Sequence, residues 1–192
     1  MRSVFVVVLL LLVGGCATAP SNIGNTCAVF DQRDGWFNNW RKAAYRTESE
    51  FGVPVHILMA TMYVESGFQP RARPPRNKLF GFIPWKRQSS AYGYAQALDG
   101  TWKTYQRATG RSSASRTNFA DAIHFVGWYH SESRRRNGIS VNNPYDLYLA
   151  YHLGHTGYAR GAARNHAGAR AAAKRFADIS GKYAVQLRSC GR

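Results

Sequence analysis

Pro54-Val55-His56-Ile57-Leu58-Met59-Ala60-Thr61-Met62-Tyr63-Val64-Glu65-Ser66-Gly67-Phe68 decides how this chain is read. Its apolar residues fall on every side of a helical wheel, the pattern of a helix buried all round. Gly52 and Pro54 mark its start, with Pro54 suited to a first turn, and Gly67 marks its end. Glu65 stands in the closing turn. A carboxylate among apolar walls is costly to ionise, so its pKa should rise and the acid should stay protonated near neutrality. A proton donor in an apolar cleft suits cleavage of a glycosidic bond. The plainer alternative is a helix-end glutamate turned to solvent.

Working outward, the same punctuation yields more helices and no convincing alternating strand. Trp36, Phe37, Trp40, Ala44 and Tyr45 recur at spacings of three and four, predicting a helix from about Asp31. Further helices are predicted over Gly100 to Thr109, from Asn118 with Phe119, Ile123, Val126 and Tyr129 facing inward, from Pro144 through Tyr151, and over Ala167 to Arg188. Arg134 to Gly138 reads as a turn, and Gly154 and Gly157 as helix-ending. Gln69 to Ser90 carries Pro70, Pro74, Pro75 and Pro84 among six Arg and Lys residues. It reads as an irregular loop whose tip, Leu79-Phe-Gly-Phe-Ile-Pro-Trp85, is aromatic between basic arms. The expectation is one nearly all-α domain, sized for a real core by its 192 residues.

The N-terminus stands apart from that core. Arg2 precedes an apolar run, Val4 to Val13, too short to span a bilayer. It closes in Val13-Gly14-Gly15-Cys16, which resembles a bacterial lipobox with Val where Leu is usual. The resemblance implies a signal peptide over residues 1–15, acylation of Cys16 and a tether over 16–26; a plain signal peptide is the alternative. Thr18 lies where an Asp would argue for inner-membrane retention, which leans toward the outer membrane. With Cys16 acylated, Cys27 and Cys190 remain as an even pair for an oxidising compartment, near the two ends of the mature chain. A bridge between them would close a loop of about 160 residues; two free thiols are the alternative.

Lys and Arg number 26 against ten acids, a formal net charge of +16. That balance favours polyanions. Export argues against nucleic acid and leaves a bilayer surface or an acidic wall polymer.

Three short motifs then align: Glu65-Ser66-Gly67-Phe68, Tyr92-Gly93-Tyr94-Ala95-Gln96, and Ala150-Tyr151-His152 followed by Leu153-Gly154. Their order resembles the lytic transglycosylases with a lysozyme-like fold, the soluble lytic transglycosylase and goose-type lysozyme group, whose pattern is Glu-Ser-x-Phe, Gly-Leu-Met-Gln and Ala-Tyr-Asn. The likeness covers roughly Pro54 to Gly161 and implies a lysozyme-like domain over 27–192, α+β at most. It implies peptidoglycan as substrate, no cofactor, and Glu65 as general acid and then base. Ser66, Gly93, Tyr94, Gln96, Tyr151 and His152 would line the substrate. Within that set, Ser66 would bond the sugar or the carboxylate, Gly93 would let backbone approach the sugar, and Tyr151 would aim its hydroxyl at the carboxylate. Tyr94-Ala95 in place of Leu-Met, and His152 in place of Asn, depart from the pattern.

Hydrolysis would need a second acid. Asp99, Asp121, Glu132 and Asp146 are the candidates. Asp99 reads as a helix cap, and Asp121 and Asp146 as first-turn acids favoured by the helix dipole. The histidine pairs His152/His155 and His124/His130 lack a Cys or acid to complete a metal set. Trp36, Trp40, Trp102 and Trp128 fall at core spacing.

Overall fold

A computed structural model describes residues 19–35, 39–79 and 83–190, with side chains left out over 77–86. Cys16, the signal-like run, Trp36, Phe37 and residues 80–82 lie outside the described residues.

Among the described residues seven α-helices carry the fold: α1 (Thr26–Arg33), α2 (Trp40–Phe51), α3 (Val55–Ser66), α4 (Asp99–Thr109), α5 (Phe119–Asn137), α6 (Pro144–Ala159) and α7 (Ala167–Ser189), with a 3-10 turn at Ala162–Asn165. The all-α reading therefore holds, with one addition. Gln69 to Ser90 is not wholly irregular: β1 (Arg76–Leu79) pairs antiparallel with β2 (Ile83–Arg87), Arg76 opposite Arg87. Pro84 is compatible with pairing because both strands of a two-stranded ribbon are edges.

The helix at the heart of the fold is α3. Ile57, Leu58, Met59 and Met62 are fully buried, worth on the order of 6–12 kcal/mol in gross transfer free energy. Gly67 ends the helix in the left-handed conformation, and its N–H reaches the carbonyls of Met62 and Tyr63. Packing against α2, α5 and α7 surrounds the helix. One polar tie crosses to α5. Thr61 Oγ1 donates to the Ile57 carbonyl at 2.9 Å, so the 3.0 Å contact with His130 makes His130 Nε2 the donor. His130 is buried and held neutral, its pKa lowered to about 3 by desolvation and the neighbouring His155. Thr61 stands one turn before Glu65, so this bond fixes the rotation of α3 under the site.

Several boundaries differ from the sequence reading. The helix expected from Asp31 is two helices: Asn25 caps α1 by accepting from Cys27 and Ala28, and Asn39 caps α2 by accepting from Lys42. Arg134 to Asn137 is helical, because Glu132 bonds Arg135 and Arg136 one turn on and Gly138 supplies the left-handed cap. At Gly154 (φ 75°) α6 kinks but continues to Ala159. Residues 21–26 are bound to the helical domain. Ser21 bonds Gln32, Gly24 and Thr26 bond Gln186, and the Tyr183 hydroxyl donates to the Ile23 carbonyl. Cys27 and Cys190 are joined in a disulfide, Cα atoms 5.8 Å apart, fastening α1 to the end of α7. Among the described residues no helix is long and apolar enough to cross a membrane.

Candidate active site

Glu65 enters the protein from the last turn of α3. The residue as a whole is partly buried, yet its Oε1 is fully buried and has no hydrogen-bond partner among the described residues. Desolvation raises its pKa to about 7, and a hydrogen bond from Tyr148 opposes the rise. No other carboxylate contributes. At neutral pH the group is thus divided between a proton donor and a buried base.

Tyr148 was not foreseen. It is almost fully buried on α6, its ring stacked on Phe176 (4.9 Å) and near His152 (5.9 Å). Burial and the facing Glu65 charge push its hydroxyl far above the ordinary tyrosine range, so it is a committed donor. Tyr151, expected in that role, instead donates to the Ala95 carbonyl at 2.6 Å. Its own pKa is raised by burial first and by the Glu65 charge second. The two tyrosines are one turn apart on one face of α6. That spacing was the available signal for Tyr148.

The second motif folds into a tight loop closed by an isolated bridge between Tyr92 and Ala97. Gly93 has φ 79°, and a Cβ there would lie 2.2 Å from the Arg116 carbonyl oxygen. The Arg116 backbone thus crowds the side of this glycine where a Cβ would stand. Tyr94 is also turned inward: 4 % exposed, its ring edge-on to Trp40 (5.6 Å) and Phe119 (5.8 Å). Its ring packs into the hydrophobic core. Gln96 adopts φ 49°, and its Nε2 donates to the carbonyls of Ala72 (3.0 Å) and Gly93 (2.8 Å). Those acceptors dictate which end of the amide is the donor and leave its carbonyl oxygen turned from them.

Of the other expected residues, Ser66 bonds back to the Met62 carbonyl of its own helix (3.2 Å). His152 is exposed on α6, over Tyr148 and edge-on to His166 at 5.9 Å. Burial and His166 lower its pKa.

The candidate second acids are engaged elsewhere. Asp99 does not cap α4: Leu98 is the N-cap residue, without a side-chain cap bond, and Asp99 pairs with Arg116 at 2.7 Å. Arg116 also donates to the Ser90 and Ala97 carbonyls, so the pair pins the loop that carries Gln96. Asp121 pairs with Arg111 (2.9 Å) and Asp146 accepts from Asn143 (2.7 Å). Glu132 is lowered to about 2 by its arginines. Trp40, Trp102 and Trp128 are buried. Among the described residues no three His, Cys, Asp or Glu cluster to hold a metal ion.

The arrangement is a lone, neutral-capable carboxyl on a buried helix, a tyrosine donor on it, and a glutamine-bearing loop tied to the next tyrosine. No curated protein matches this chain. A family model described as a transglycosylase SLT domain matches residues 4–190, nearly the whole sequence. By that match, this chain belongs to the SLT family of lytic transglycosylases, which act on the peptidoglycan of the cell envelope.

Proposed function

We propose that the protein cleaves the β-1,4 bond between N-acetylmuramic acid and N-acetylglucosamine without water, leaving 1,6-anhydro-muramoyl ends. Glu65 donates its proton to the glycosidic oxygen as the bond to the muramoyl C1 breaks. The N-acetyl oxygen of the substrate covers the positive charge developing at C1. The Glu65 carboxylate then takes the proton of the C6 hydroxyl, whose oxygen closes on C1. Glu65 ends protonated and no water is consumed. Tyr148 holds the carboxyl through both steps, and the Gln96 carbonyl and His152 meet the sugar. Ser66, Gly93, Tyr94 and Tyr151 shape the walls, since their polar or close-packed groups are committed within the protein.

The observation that carries this reading is the solitary Glu65 carboxyl, raised to about 7 by burial with no second carboxylate acting on it. One group must then serve as acid and base, whereas hydrolysis uses two. Digestion of purified sacculi tests it. Muropeptides lighter by one water than reducing ends support the reading; reducing ends would establish a muramidase instead. Wall binding without release would establish a non-catalytic lipoprotein.

Acylation at Cys16 would place the enzyme on the periplasmic face of the outer membrane. Labelling with a fatty-acid analogue, lost in Cys16→Ala, checks that placement.

A further inference from the structure

Next to Ala72, whose carbonyl holds Gln96, lies a cation that the cleavage chemistry does not use. The Arg73 guanidinium carbon sits 3.9 Å from the centroid of the Tyr92 ring. Arg116 approaches the same ring at 5.4 Å, but Asp99 already neutralises it and two carbonyls occupy its donors. Arg73 is exposed and has no ion pair among the described residues. Contact with an aromatic face holds a guanidinium in place and leaves its N–H edge available for a carboxylate.

Its position is tied to the site through the backbone. The Ala72 carbonyl accepts from both Gln96 Nε2 and the Gly93 N–H, each at 3.0 Å. Arg73 is therefore one residue from the wall that Gln96 builds. Tyr92 stands three residues from Ala95, whose carbonyl receives the hydroxyl of Tyr151, a residue on which the Glu65 charge acts. Three residues span at most about 11 Å.

The peptidoglycan strand offers a matching anion. Each muramoyl residue bears a short peptide with free carboxylates. Three to five extended residues reach about 10–18 Å from the sugar. We propose that Arg73, held against Tyr92, binds a stem-peptide carboxylate of the strand lying in the Glu65 cleft. This rests on the cleavage reading above.

The test compares intact sacculi with sacculi whose stem carboxylates have been converted to carboxamides by carbodiimide and ammonium, which removes charge and keeps shape. The wild type should show a KM about tenfold lower on intact sacculi, with kcat within about twofold, the size of one charge-assisted contact. Arg73→Ala should lose that discrimination, and Arg73→Lys, which cannot form the planar fork, should retain only part of it. A purely structural Arg73 would leave the ratio between the two substrates unchanged. Equal KM values for the wild type on both substrates, or full discrimination by a folded Arg73→Ala protein, would overturn the proposal while leaving the cleavage reading intact. No release by the wild type from either substrate would overturn both.

Discussion

Glu65→Gln separates the chemistry of the buried acid from its cost to the fold. The rise from 4.5 to about 7 corresponds to about 3 kcal/mol at 1.36 kcal/mol per unit. The folded protein holds this proton more tightly than the unfolded chain does. The resulting stabilisation is complete below about pH 4.5 and is lost as pH rises through about 7. Glutamine has the same shape and never ionises, so the variant escapes that loss. Wild type and variant should melt alike near pH 4, and the variant should gain up to about 3 kcal/mol by pH 9. For a chain of this size that is roughly 6–12 °C in melting temperature. Activity should move the other way. At pH 7 about half of the Glu65 population can donate a proton, against about one in 300 for an unshifted glutamate. The wild-type rate should therefore fall about tenfold per unit above neutrality, and the variant should release no muropeptides. Circular dichroism melts from pH 4 to 9, run beside sacculus digests, measure both. Melting curves that coincide at every pH would refute the claim that the carboxyl is desolvated. Muropeptide release by the variant would refute its assignment as the acid.

Tyr148→Phe removes the hydrogen bond that favours the Glu65 carboxylate, so the alkaline limb of the pH–rate profile should move to higher pH with a loss of kcat; an unmoved limb would return the role to Tyr151. Gly93→Ala combines a φ of 79° with a Cβ 2.2 Å from the Arg116 carbonyl and should cost more than about 3 kcal/mol in chemical denaturation. Replacing Cys27 and Cys190 by Ser opens a loop of 163 residues, which on the chain-entropy estimate costs about 5 kcal/mol; a melting temperature within a few degrees of wild type would mean that the Gln186 and Tyr183 contacts hold the termini by themselves.

Much of this was legible in the residues, and the misreadings share a cause. Helix starts and ends followed from short-range chemistry: Asn118 and Asn143 accept from the third residue on, and Gly52, Gly67, Gly110 and Gly138 take up left-handed caps. Glu65 stood out because ten apolar or weakly polar residues precede it within one helix. The Cys27–Cys190 pairing followed from counting. Roles at a distance did not follow. Gly93 looked like a residue that lets backbone approach a sugar; its packing against the Arg116 backbone, more than twenty residues on, was not visible locally. Asp99 looked like a cap because its neighbours suit a helix start, but an arginine from the next loop offered a stronger partner.

The sequence by itself determined where most helices lie, that Glu65 is an acid among apolar residues, and the family to which the motifs point. These depend on periodicity, capping and composition, which act over a few residues. Only the tertiary structure decided that Tyr148 bonds the acid while Tyr151 bonds Ala95, that Tyr94 packs inward, and that Arg73 lies against Tyr92 with no ion pair among the described residues. Those outcomes depend on which helix face meets which loop. Hydrogen bonds and ion pairs act only across a few ångströms, and the fold chooses which residues come within that range.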